Sequence, residues 1–205
     1  MSSSPKRIAV LISGSGSNLQ ALIDAAGTPA LPNAQITFVL SSRSKVFGLE
    51  RAAKHNIPST VCALKTYLNR NPGSTREDYD EHVARLVIET QPDLIVLAGW
   101  MHILSDKFLD ITNAANVPCI NLHPALPGAF DGANAIGRAH EAFGRGETTK
   151  TGAMVHRVIK EVDRGEPLVV REIEMRQGET LEQLEGRIHE VEHEIIVEGA
   201  KLILQ

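Results

Sequence analysis

Asp93–Ala98 is almost uninterrupted in apolar residues, and Val117–Leu122 repeats the pattern. A strand that is apolar at nearly every position has to be covered on both faces. That is the situation of a central strand in a parallel sheet flanked by helices. Arg7–Ile12 is a third run, short and β-branched. Apolar residues at helical spacing separate these runs: Leu19, Leu22, Ile23 and Ala26, stopped by Gly27 and Pro29, then Tyr79, Val83, Leu86 and Val87. Thr75 opens the latter helix, with Asp78 three residues on as a capping partner. Strands that alternate with helices of this length imply an α/β chain.

The remaining segments extend the alternation. Gln35–Leu40 reads as a strand with Ile36, Phe38 and Leu40 alternating, and Ser59–Cys62 as another, with a helix over Val46–His55 between them. Ser105–Leu109 is a short helix, and Ala135–Phe143 is helical. From His123 to Asn134 the chain is rich in Pro, Gly and Ala without periodicity, which predicts a mobile surface loop near function. Gly152–Ile159 and Pro167–Ile173 read as strands joined by the turn Asp163-Arg164-Gly165, a connection short enough for an antiparallel hairpin. Thr180, with Gln183 three residues on, caps a long helix with Leu181, Leu184, Ile188, Val191 and Ile195 on one face. The expected fold is a Rossmann-like, mostly parallel sheet flanked by helices, with a C-terminal antiparallel hairpin and a closing helix. No repeat or linker divides it, so residues 1–205 read as one domain.

Composition excludes several classes. The chain has 205 residues and a net charge of −4, a poor match to the basic excess of a nucleic-acid binder. Five Phe, two Tyr and one Trp are too few for a base-stacking platform. The longest apolar runs fall far short of the roughly 20 residues of a membrane helix. Cys62 and Cys119 are too few for a disulfide framework and suit a reducing compartment. Met1 to Arg7 has neither the apolar region nor the cleavage site of a signal peptide. A soluble cytoplasmic protein is expected, with no membrane and no nucleic acid among its partners.

Three constellations carry chemistry. Gly14-Ser15-Gly16-Ser17-Asn18 follows a strand and opens a helix, where successive N–H groups make an anion site. Leu19 stands where a dinucleotide fingerprint needs glycine, and Ser41-Ser42-Arg43 ends the second strand without an acid, so a single phosphate fits better. The same turn without a ligand would be a tight strand-to-helix connection. Asn121-Leu122-His123-Pro124 ends a buried strand, and residues two apart share a face. An amide donor beside an imidazole suits acyl chemistry, one holding an oxyanion while the other moves a proton. A hydrogen-bonded strand end without chemistry would look the same. Asp163 lies in a turn, where most aspartates bond local backbone. His189-Glu190-Val191-Glu192-His193 satisfies H-E-x-x-H, but zinc needs a third ligand and neither Glu194 nor Glu198 is convincing, so no metal is expected.

Taken together and in order, these motifs resemble the phosphoribosylglycinamide formyltransferase family of folate-dependent enzymes, over Ile8 to about Leu204. The likeness rests on Leu11-Ile12-Ser13-Gly14-Ser15-Gly16-Ser17-Asn18-Leu19-Gln20 and Ser74-Thr75-Arg76-Glu77-Asp78-Tyr79-Asp80. Further along it rests on Leu97-Ala98-Gly99-Trp100-Met101-His102-Ile103-Leu104, Ile120-Asn121-Leu122-His123-Pro124 and Val162-Asp163-Arg164-Gly165. The resemblance implies formyl transfer from 10-formyltetrahydrofolate, as donor cosubstrate, to the amine of phosphoribosylglycinamide in purine biosynthesis. It implies a catalytic trio of Asn121, His123 and Asp163. Gly16, Ser17, Asn18 and Glu192 would bind the phosphosugar. Arg76, Met101, His102, Ile103, Leu104, Asn121, Glu161, Val162 and Asp163 would border the folate.

Three positions depart from the family pattern. His102 stands where Arg is common, Ala125-Leu126-Pro127 is one residue shorter than the usual Ser-Leu-Leu-Pro, and Arg164 replaces a small residue beside the aspartate. The alternatives are other folate-superfamily reactions (deformylation, or formylation of a charged tRNA), an NADP-dependent oxidoreductase, and a phosphosugar-binding protein without catalysis.

Overall fold

The computed structural model describes residues 4–205; Met1, Ser2 and Ser3, part of the stretch read for a signal peptide, lie outside the described residues. The chain runs β1 (Lys6–Ile12), α1 (Ser17–Ala25), β2 (Ala34–Ser41), α2 (Phe47–Lys54), β3 (Ser59–Val61), α3 (Leu64–Arg70), α4 (Arg76–Ile88) and β4 (Leu94–Leu97). It continues as α5 (Asp106–Ala114), β5 (Cys119–His123), α6 (Ala135–Gly144), β6 (Lys150–Arg157), β7 (Pro167–Glu174) and α7 (Leu181–Leu204). The described strands form one seven-stranded sheet in the order β3-β2-β1-β4-β5-β6-β7. The pairs from β3 to β5 are parallel, and β6 and β7 add antiparallel. The mostly parallel α/β sheet with an antiparallel extension is thus as the sequence predicts.

The all-apolar strands are covered on both faces. Ile8, Val10 and Ile12 of β1 join Leu94 and Val96 of β4 in a core closed by Leu19 and Leu22 of α1 and by Leu184, Ile188 and Ile195 of α7. Ala9, Leu11, Ile95 and Leu97 face the other core, closed by Tyr79, Val83 and Val87 of α4 and Phe108 of α5. The sheet is the middle of three layers.

Several local expectations are corrected. Ile36 does not share a face with Phe38 and Leu40: Ile8 pairs with Ile36 but Ala9 with Phe38, so Thr37 bulges out and the strand changes face. Helix α3 was missed in the sequence although Leu64, Tyr67 and Leu68 stand at helical spacing; it is seven residues long and its apolar face is only half-buried. Helix α5 runs on to Ala114, and β5 begins at Cys119 and takes in His123. The hairpin of β6 and β7 is antiparallel, but β6 ends at Arg157, so its connection is residues 158–166, longer than the turn expected. On α7, Leu181 is 37% exposed and the buried face instead includes Glu192. Both predicted capping boxes form, Thr75 with Asp78 and Thr180 with Gln183.

Candidate active site

The strand order reverses direction between β1 and β4, and open α/β sheets place ligands at the carboxyl ends of strands beside such a point. A cleft of about 890 Å³ opens there. At one end lies the glycine turn. Gly16 caps α1 with φ 70°, and a Cβ on it would stand 2.7 Å from the Cα of Gly48. Glycine is therefore required twice over, by the left-handed backbone and by the close approach of α2. The Gly48 N–H donates to the Gly14 carbonyl and Arg51 Nε to the Ser15 carbonyl, which braces the turn from behind. The opening N–H groups of α1 are left facing the cleft end where an anion is favoured. Ser13 Oγ lies 2.6 Å from Ser42 Oγ and accepts from the Met101 N–H at 3.0 Å, tying this turn to the segment after β4.

At the centre, β5 delivers Asn121 and His123, and the 158–166 connection delivers Asp163, which sequence spacing could not place near them. His123 Nδ1 is 3.4 Å from Asp163 Oδ2. Its Nε2 is buried and has no hydrogen-bond partner among the described residues. Asn121 Nδ2 lies 3.3 Å from Asp163 Oδ1 and 3.1 Å from His156 Nε2. His156 was missed in the sequence. It sits opposite Asn121 only through the antiparallel register of β5 and β6, and its Nδ1 is 2.9 Å from the Arg157 carbonyl. Asp163 also accepts from the Gly132 N–H at 2.8 Å.

The electrostatics follow from burial. Desolvation lowers the His123 pKa, only partly countered by Asp163, so the ring favours its neutral form more than a free imidazole does. Burial alone would lift the Asp163 carboxyl, but His156, the Gly132 N–H and the charge His123 can carry outweigh it and hold it low. A neutral imidazole with one nitrogen against a carboxylate and the other without a partner can accept a proton and be stabilised as the imidazolium. Asn121 Nδ2 already donates to Asp163 Oδ1, and the role of the His156 ring nitrogen beside it depends on the tautomer of that ring.

Met101, His102, Ile103, Leu104, Glu161, Val162 and Asp163 line the same cleft. Arg76 does not line it. Its Nε bonds the buried Asp80 at 3.1 Å and its Nη2 bonds the Ile103 carbonyl, so it holds the wall from outside. The His102 ring packs edge-on to Tyr79 and Trp100, and burial lowers its pKa. Met101 and Ile103 are 62% and 65% exposed, an apolar lip open to a ligand.

On the opposite wall, Glu192 of α7 is buried and accepts from Asn18 Nδ2 at 3.1 Å. Burial raises its pKa, with Asn18 and His189 opposing. The turn residues Gly16, Ser17 and Asn18 and the helix acid Glu192, expected as one binding set, thus lie together although α1 and α7 are at opposite ends of the chain. Among the described residues no group of three or more His, Cys, Asp or Glu is placed to hold a metal ion. No helix of the described residues is long and apolar enough to cross a membrane.

A family model described as Formyl transferase matches residues 6–199. The chain is 48% identical over 199 residues to the phosphoribosylglycinamide formyltransferase of Schizosaccharomyces pombe, covering 96% of each chain. It is 46% identical over 200 residues to that of Dictyostelium discoideum, covering 96% of this chain and 97% of the relative. Phosphoribosylglycinamide formyltransferase from Campylobacter jejuni has a similar structure, with a TM-score of 0.86 at 30% identity over 100% of both chains. Glycinamide ribonucleotide transformylase 1 from Geobacillus kaustophilus gives 0.84 at 34% identity, covering 98% of this chain and 100% of that one.

Proposed function

The chain belongs to the formyl transferase family, and on that premise we propose how it works as a phosphoribosylglycinamide formyltransferase, an enzyme of purine biosynthesis. It transfers the formyl group of 10-formyltetrahydrofolate to the amine of 5-phosphoribosylglycinamide, giving 5-phosphoribosyl-N-formylglycinamide and tetrahydrofolate. The observation that carries this reading is the joining of three parts in one cleft: the anion-binding turn at Gly16–Asn18, the Asn121/His123/Asp163 cluster, and the apolar lip at Met101–Leu104.

In this reading the phosphate lies on the opening N–H groups of α1, and Asn18 and Glu192 hold the glycinamide half. The folate ring lies between Met101–Leu104 and the turn from Glu161 to Asp163, with Arg76 bracing the outer edge. The substrate nitrogen attacks the formyl carbon, forming a C–N bond as the C=O electrons move onto oxygen. His123 Nε2 takes the amine proton, and the imidazolium so formed, stabilised by Asp163, faces the oxyanion together with Asn121. Collapse of the tetrahedral species breaks the bond to the folate nitrogen, which receives the proton. These steps use neither a metal nor a covalent enzyme intermediate. The whole chain acts as one formyltransferase domain, in the cytoplasm, on small-molecule substrates.

The test is an assay with 10-formyltetrahydrofolate, with and without phosphoribosylglycinamide. Tetrahydrofolate is expected only when the phosphosugar amine is present. Formate released at the same rate without the amine would make the chain a hydrolase instead.

A further inference from the structure

Two loops meet across the mouth of the cleft. One is the 123–134 segment, and the other is the 158–166 connection that carries Asp163. The first was expected to be mobile, yet it is tied at successive residues. Phe130 receives Arg138 Nη2 at its carbonyl at 2.6 Å, and the same nitrogen reaches the Asp131 carbonyl at 2.7 Å. Gly132 donates its N–H to Asp163 Oδ2. Between these two stands Asp131, whose Oδ2 is 2.6 Å from Nη2 of Arg164, the residue after Asp163.

The pattern is a zipper of neighbours. Residues 131 and 132 of one loop pair with 164 and 163 of the other. From this geometry we infer that Arg164 and Asp131 are positioning residues, whose ion pair pins the two loops together and thereby sets the separation of His123 and Asp163. Neither side chain is within the reacting cluster. Both act through their chain neighbours, and the whole inference rests on the assignment of His123 and Asp163 to the chemistry. The contact between those two is long for a hydrogen bond at 3.4 Å, so it is sensitive to where the loops sit.

Arg164 is 56% exposed and Asp131 27%, so the pair is partly screened and its effect is moderate. Arg164→Ser and Asp131→Asn are each expected to lower kcat about two- to fivefold, the population change a partly exposed ion pair controls. KM for the phosphosugar should stay unchanged, because the glycine turn and Glu192 lie at the other end of the cleft. The double variant should fall no further than either single one, and Arg164→Lys should recover most of the loss, since it retains the charge.

Steady-state kinetics of these four variants decide the matter, with Asp163→Asn measured alongside. Wild-type kcat in Arg164→Ser, additive losses in the double variant, or no recovery with lysine would each overturn the latch, provided Asp163→Asn is impaired. If Asp163→Asn is itself fully active, it is the assignment of the site that fails, and the latch with it.

Discussion

At the residue scale, the site depends on groups held away from their ordinary ionisation. His123 combines a buried, partnerless Nε2 with a carboxylate behind its other nitrogen. His123→Ala should lower kcat by about 100-fold or more, the usual consequence of losing one stabilising group at a developing oxyanion, with phosphosugar KM little changed. Asp163→Asn keeps the shape but removes the charge that raises the His123 pKa. The acid limb of its rate–pH profile should therefore move to lower pH, as well as the rate falling. An unmoved profile would return Asp163 to a turn-forming role. Glu192 works in the opposite sense. Its folded pKa is raised by burial, so the ionised form weakens the folded state once pH rises through that value. Glu192→Gln can still accept from Asn18, and the ligand-free protein should melt higher above neutral pH, by about 2–4 °C for each kcal/mol gained. Its KM for the phosphosugar should rise at the same time. A lower melting temperature in differential scanning calorimetry would contradict the first claim.

At the scale of elements, helix α7 does two jobs: it closes one core with Leu184, Ile188 and Ile195, and it presents Glu192 to Asn18. Its first turn is held by the box in which Thr180 accepts from the Gln183 N–H and its own N–H donates to Gln183 Oε1 at 2.9 Å. Thr180→Ala should cost about 0.5–2 kcal/mol of stability in urea unfolding. Phosphosugar KM should be unaffected, because Glu192 lies three turns further along. A changed KM with unchanged stability would show that the cap reaches the site. The capping boxes were legible because they are local: a hydroxyl and an acceptor three residues apart find each other within one turn. The bulge at Thr37 was not, because the face a strand residue takes there depends on the partner strand as well as on its own alternation.

At the scale of the whole molecule, His102, His123 and His193 all have pKa values lowered chiefly by desolvation. The unfolded chain therefore binds their protons more tightly. The stability they contribute is complete above the ordinary imidazole value of about 6.5 and is lost as pH falls through the folded values. Unfolding free energies from urea titrations should drop between about pH 7.5 and about pH 5.5, by at most about 1.4 kcal/mol per pH unit for each ring. Buried His123 should contribute most, and the half-buried His102 and His193 less. A constant unfolding free energy would show that these rings reach water freely. The sequence by itself determined the layering, since strands apolar at every position must be covered twice, and it determined the turn at Gly16 and the pairing of Asn121 with His123 on one strand face. Those follow from interactions within a few residues. Tertiary structure alone decided that Asp163 and His156 meet Asn121, that Glu192 meets Asn18, and that Arg76 braces the cleft without lining it. Each of the first two meetings joins residues far apart in the chain, the first through the antiparallel register of β5 and β6 and the second through the packing of α7 beside α1 in a shared core. No local propensity encodes such an approach; it is fixed when the sheet and its covering helices bury their shared apolar faces.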